Sequence, residues 1–328
     1  MIRSFVFNQG KLVSQDVGLD VLRLVLYDEG VQVWADAEQP TEAEARELLE
    51  TVFNFHPLAI EDCLAVSERP KIDEYEQYLF MVMHSVEFGR QDHAFHTNEL
   101  NVFIGRNFLV TVHDEPLRSV KATMDRVLKN APAIARAPDR LTYHLLDNLL
   151  DTYAPALHEL GTELGDLEKK VLTQTSADIL ADVIQLKSEV QHLRQIITPQ
   201  RDILSRLARG EFKIVRAHML PYYRDLLDHL GRIADMTDSY RDSLTNTLQV
   251  NLNLQQMQIN RVIKVLTVLA TLSMPILLIT SFYGMNLNHF PPMGESGWSW
   301  RLAYGWFVLV TGGSVGLLYR WLKKRGLS

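Results

Sequence analysis

Four residues closing an uncharged apolar run, Tyr283-Gly284-Met285-Asn286, place a side-chain carboxamide beside a backbone that glycine leaves free to turn. Behind them, 265–282 holds no charged residue, and its polar members are Thr267, Thr271, Ser273, Thr280 and Ser281. Further back, uncharged amides recur at Asn246, Gln249, Asn253, Gln256 and Asn260, in alternating steps of three and four. That is a heptad seam with amides where a dry coiled coil would place leucine. The stripe continues through Ile263, Leu266 and Thr267, Ala270, Met274, Leu277, Ser281 and Gly284. One helical face therefore passes from wet and uncharged, through apolar, to small and polar. Several copies around an axis would line a pore with it; ordinary helix packing and a helix C-cap are the other readings. A second group carries carboxylates and imidazole. Glu61 and Asp62 are adjacent in HPLAIEDCL (56–64), while Asp147 with Asp151 and Asp225 with His229 stand four residues apart. Four-residue spacing sets both side chains on one helix face. Oxygen and imidazole donors suit divalent cations, and the same residues also read as a solvated acidic surface.

These groups need long helices to carry them. About 20 apolar residues cross a bilayer core, so 260–286 is expected as a membrane span. The helix leading into it begins near Pro221 and shows no stop before Gly284. Roughly 60 residues at 1.5 Å each make it on the order of 90 Å long. Upstream, a 3.6-residue period from Leu117 predicts helices over 141–171 and 176–209, the second broken near Pro199. Residues 1–36 read as short strands at 4–7, 21–27 and 31–35, with turns at Asn8-Gln9-Gly10 and Asp28-Glu29-Gly30. Thr41 and Glu44 form a capping box for a helix running to about Phe53. HPLAIEDCL is a short helix, and 78–87, 99–104 and 108–113 are strands. The expected class is an α/β cytoplasmic domain with long α-helices and two C-terminal transmembrane helices. The expected divisions are an α/β domain at 1–115, a helical region and stalk at 116–259, and a first span at 260–286. An external loop at 287–301 and a second span with a basic tail at 302–328 complete the chain.

Composition agrees. Of 328 residues 47% are apolar, yet overall hydropathy is near neutral, so a soluble portion must offset the membrane portion. Residues 260–328 hold seven Lys/Arg against Glu295 alone, a net +6; with a total of −7, residues 1–259 carry −13. An acidic domain argues against nucleic acid as partner and for cations. Cys63 is the only cysteine, consistent with a reducing cytosol, and no apolar signal-peptide region is expected at the N-terminus. Arg261 and Lys264 flank the first span, and 323–325 flank the second, so both termini are expected in the cytoplasm of a cell or inner membrane. Trp298, Trp300 and Trp306 outside, with Tyr319 and Trp321 inside, fit aromatic belts.

Gly-Met-Asn at the outer end of the penultimate apolar run, behind a long helix, resembles the CorA family of divalent-cation channels. HPLAIEDCL with RPKIDEYEQYLFMVMH, 186–207 and 222–235 resemble that family's soluble domain. The resemblance implies a funnel-shaped homopentamer in the bilayer that is not an enzyme and has no prosthetic group. Its substrates would be divalent cations, Mg2+ first, with Co2+ or Ni2+. It implies a filter at Tyr283, Gly284, Met285 and Asn286, whose neutral oxygens hold a hydrated ion without stripping its waters. Asn260, Ile263, Leu266, Ala270, Met274, Leu277 and Ser281 would line the pore, with 263–274 an apolar constriction. Asp62 and a neighbouring protomer's Asp225 would share a regulatory cation, with Glu61, Asp147 and His229 beside it in a second site.

The runner-up is a ZntB-like Zn2+ transporter, with proton coupling open. Phe290-Pro291-Pro292-Met293 follows the filter where a Met-Pro-Glu-Leu is common, leaving Glu295 and His289 at the external mouth. His289 is the softer ligand, whereas Met285 keeps the magnesium-type filter. A membrane-anchored enzyme has no phosphate-cradling loop or nucleophile elbow behind it. His93-x-x-His96 reads as a surface loop, and Gly312-x-x-x-Gly316 as a close-packing motif or apolar filler.

Overall fold

Asn8-Gln9-Gly10 closes the first hairpin, and the structure, a computed structural model, shows how: Gln9 and Gly10 take φ of 48° and 78°, the twist of a two-residue hairpin. It describes residues 1–28, 30–65, 67, 69–89, 91–173, 177–284 and 300–324, with the side chains of 177, 178, 282, 283 and 300–304 outside that description. The hairpin joins β1 (Ile2–Asn8) to β2 (Lys11–Gln15), a polar edge strand that composition did not announce. The segment expected as a strand at 21–27 is instead helical, α1 (Leu19–Val25). Its apolar residues do not line one sheet face: Leu22 is buried while Leu24 is exposed, and β2 and β3 (Val31–Glu38) already flank β1.

The sheet is completed by β4 (Lys71–Glu74), β5 (Tyr78–Gly89), β6 (Ala94–Gly105) and β7 (Phe108–His113), in the order β2-β1-β3-β7-β6-β5-β4. Among the described residues, only β3 and β7 pair in parallel. The Thr41 capping box opens α2 (Glu42–Arg46), which continues as a π-helical turn, Glu47–Val52. With α3 (Pro57–Leu64), that turn lays Leu48, Leu49, Ala59 and Ile60 over Phe80, Phe103 and Val110 on one sheet face.

Next come α4 (Arg118–Ile134), interrupted at Asn130 ahead of Pro132, and α5 (Pro138–Leu150). The helix expected over 141–171 is two: α5 ends, and α6 (Tyr153–Thr173) begins after Asp151 and Thr152. Pro155 is the cause, since its ring would clash with the Asp151 carbonyl in a continuous helix. α7 (Ala177–Ala208), by contrast, runs unbroken through Pro199. Buried Gln200 holds it there, accepting from the His84 N–H at 3.2 Å and donating to the Tyr153 hydroxyl at 2.5 Å. The final two helices are α8 (Leu220–Tyr283) and α9 (Trp300–Lys324). Two compact units result, Met1–Leu248 and Gln249–Ser328.

Candidate metal centre and pore-lining helix

Asp139, at the first turn of α5, is almost fully buried and takes the Arg216 guanidinium in a fork, Nε to Oδ2 at 2.8 Å and Nη2 to Oδ1 at 2.6 Å. The hydroxyl of fully buried Tyr223 donates to the Asp139 carbonyl at 2.8 Å. Tyr143 meets Tyr222 and Tyr223 edge-on one turn further along. These contacts fasten the start of α8 to α5, and the next turns carry the polar residues. The result is a cluster: ligand atoms of Asp147, Asp151 and His229 all lie within 4.8 Å of one another.

The electrostatics suit a cation. Burial, then the Asp151 charge, raises the Asp147 pKa above the usual carboxylate value, with Asp225 adding to the rise and Arg126 and His229 opposing it. Burial and the charges of Asp147 and Asp225 likewise raise Tyr143. Arg126 Nη1 stands 3.9 Å from Asp147 Oδ2 and is the only cation in an ion pair with that carboxylate among the described residues. Carboxylates held this close repel each other until a positive charge joins them.

The chain thus brings Asp147 and His229 together, and adds Asp151. Asp225 adjoins them through its charge. Asp62 instead holds Lys71 Nζ at 2.6 Å from its Oδ2, so a cation there must displace a lysine; Glu61 is exposed on the same helix. Arg126 gave no signal in the sequence, because only the packing of α4 on α5 sets it there. Tyr143 stands one helical turn before Asp147, on the face that Asp147 and Asp151 share, which is a usable signal. His93 and His96 do not converge: His93 pairs with Glu163, and His96 Nε2 with Asp92 Oδ2 at 2.7 Å.

In the second unit, α8 keeps the amide stripe in register. Gln249 Nε2 donates to Asn253 Oδ1 at 3.5 Å, and Gln256 Nε2 to Asn260 Oδ1 at 3.2 Å. Among the described residues, one helix is long and apolar enough to cross a membrane, and none of its apolar window is buried. Asn260, Ile263, Leu266, Ala270, Met274, Leu277 and Ser281 are all exposed in the chain. Half-buried residues fall elsewhere, at Val268, Thr271, Leu272, Pro275 and Ile279, so the stripe shielded within the chain is not the amide-led one. At the helix end the Gly284 N–H closes the last turn on the Thr280 carbonyl at 2.9 Å. A Cβ at Gly312 or Gly316 would meet open space. Met285, Asn286, His289 and Glu295 lie outside the described residues, as does the Tyr283 side chain.

Comparison with known proteins identifies the family. The chain is 31% identical to the cobalt/magnesium transport protein CorA of Thermotoga maritima over 274 residues, covering 83% of this chain and 77% of that one. The complete structure of the CorA magnesium transporter from Methanocaldococcus jannaschii matches with a TM-score of 0.78 at 20% identity, over 97% of both chains. A more distant relative is the zinc transport protein ZntB of Cronobacter sakazakii, 27% identical over 191 residues and 54% of each chain. The family model described as CorA-like Mg2+ transporter protein matches residues 29–324, and the chain belongs to that family of membrane metal transporters, not to an enzyme family.

Proposed function

We propose that five copies of this chain form a divalent-cation channel, for Mg2+ first and Co2+ with it. The observation that carries this reading is the amide-led stripe of α8. It is uncharged, aligned by its own hydrogen bonds and left exposed by the single chain, as a surface reserved for other copies around an axis would be. The span at 260–286 lines the pore, and Tyr283, Gly284, Met285 and Asn286 hold the hydrated ion at its outer end. Side chains from Ile263 to Met274 close it by dewetting. The soluble parts, 1–115 and 116–259, lie in the cytoplasm with the basic tail, and 302–328 supplies the outer helix of an inner-membrane protein. The loop 287–301 faces outward.

Gating follows from the acidic cluster. Cytoplasmic Mg2+ held by Asp147, Asp151 and His229, and between Asp62 and a neighbouring copy's Asp225 with Glu61 nearby, clamps the closed ring. Loss of the ion returns carboxylate repulsion and loosens it. A Zn2+ transporter is the second reading, favoured by His289 at the mouth and by the ZntB likeness. Flux into proteoliposomes decides between them. Mg2+ entry indifferent to an imposed pH gradient supports the channel. Zn2+ entry enhanced by the gradient, without Mg2+ entry, overturns it.

A further inference from the structure

Two cavities of opposite character adjoin at the turn between β4 and β5, where Tyr75, Glu76 and Gln77 line both. The first is a cleft of about 720 Å³ walled by Tyr27, Phe53, Phe55, Tyr75, Tyr78 and Phe108. Its rings form a continuous series. Phe53 stacks on Phe55 with centroids 5.4 Å apart, Phe55 meets Tyr78 at 4.6 Å, and Tyr78 stacks on Tyr75 at 4.8 Å. Asn54, at φ 51°, turns the chain between the two phenylalanines, and the Phe55 N–H closes on the Leu49 carbonyl at 2.9 Å. That is a helix end of the left-handed kind. Phe55 and Tyr78 are buried, Phe53, Tyr75 and Phe108 are half-buried, and Tyr27 is 81% exposed. The cleft therefore keeps an aromatic rim open to solvent.

The second cavity, of about 760 Å³, is lined by Arg106, Arg136, Lys213 and Arg216. Two of these guanidiniums are fixed by one edge. Arg216 gives Nε and Nη2 to Asp139. Arg136 gives Nε to the Pro132 carbonyl at 2.9 Å, and its own carbonyl accepts from Gln32 Nε2 at 2.5 Å. Two of the lining carboxylates are already committed. Asp139 holds Arg216, and Glu211 holds Arg206 and Arg209, neither of which lines the cavity. Among the described residues, Arg106, Arg136 and Lys213 have no ion-pair partner, against the exposed carboxylates Glu74 and Glu76. A net positive cavity on a portion of the chain that is otherwise strongly acidic marks a place for an anion.

We infer that the two cavities together bind a nucleoside polyphosphate, its base in the aromatic cleft and its phosphates at Arg106, Arg136, Lys213 and Arg216. Aromatic side chains take a base by stacking, and guanidiniums take phosphate oxygens through charge-assisted hydrogen bonds. The juxtaposition of the two across one three-residue turn selects a nucleotide over a simple anion or a purely apolar ligand. All of these side chains line the cavities as the chain is folded, and such preformed concavity is usual for small-molecule sites. Arg216 also belongs to the clasp that fastens the start of α8 to α5, so the phosphates would touch that clasp.

The experiment is isothermal titration of the full-length chain in detergent with ATP, GTP, inorganic tripolyphosphate and adenosine. EDTA keeps metal from the Asp147 cluster and from the nucleotide, and binding is read without transport. Saturable binding of ATP or GTP, tighter than that of tripolyphosphate or adenosine, is expected. Arg106→Gln and Lys213→Gln should each weaken it about tenfold, and Tyr27→Ala severalfold. All three residues are exposed, so these changes spare folding. Absence of binding by both nucleotides would overturn the site. Tripolyphosphate binding as tightly as the nucleotides would reduce it to an anion patch and overturn it too, as would unchanged nucleotide affinity in the three variants.

Discussion

His229 on α8 sets an imidazole nitrogen within 4.8 Å of a carboxylate oxygen of Asp147 on α5, although the two are far apart in sequence. Asp147→Asn or His229→Ala should therefore weaken divalent binding to this cluster by about tenfold or more, on the scale of losing a supporting metal contact. Mg2+-dependent protection from limited proteolysis measures it, because bound ligand stabilises the folded form. Equal protection in both variants would remove the cluster from regulation.

The raised Asp147 pKa gives this binding a pH dependence. Burial and Asp151 make the proton a stronger competitor there than at an ordinary carboxylate. Mg2+ affinity should fall as pH drops, beginning at a higher pH than an ordinary Asp, near 3.8, would allow. Asp151→Asn should shift the onset to lower pH.

Arg126 competes for the same carboxylate. Arg126→Gln removes that counter-charge and should raise cation affinity severalfold, as isothermal titration would record. An unchanged affinity would mean that the arginine points away from the occupied site.

Across the paired strands β3 and β7, His113 Nε2 lies 3.3 Å from Asp36 Oδ1, with both side chains buried. Burial pulls the His113 pKa down, but Asp36 and the Glu115 carbonyl pull it up more strongly, for a net rise above 6.5. A raised folded value means the stabilisation is complete below the unfolded value near 6.5 and is lost as pH rises through the folded value. Wild type should lose stability across that window in denaturant melts, whereas His113→Gln should lack the dependence and be less stable at pH 6 by about 3 kcal/mol.

Asn286→Ala should abolish selective cation flux while leaving assembly intact, with cross-linking as the check on assembly. Asp225→Ala should weaken inhibition by cytoplasmic Mg2+. Normal selectivity in the first variant would remove the filter assignment, and unchanged inhibition in the second would return that carboxylate to the solvated surface.

The sequence by itself determined the long helix, since an uninterrupted 3.6-residue pattern without a stop is a local property; α8 begins within a residue of Pro221 and ends at Tyr283. It also determined β7, α3 and the Thr41 capping box, each written in adjacent residues. Local signals misled where a neighbour decided. Residues 21–27 look β-prone, but the places beside β1 were taken, and Pro199 looks like a break, but Gln200 is pinned from two sides. Asp147, Asp151 and His229 could be named from spacing, yet their convergence could not. That required Asp139, Arg216 and Tyr223 to fasten α8 to α5, and the placing of Arg126 required α4. Helix periodicity is set by neighbours a few residues away, whereas which faces meet is set by burial of groups distant in the chain, and only the folded structure decides that.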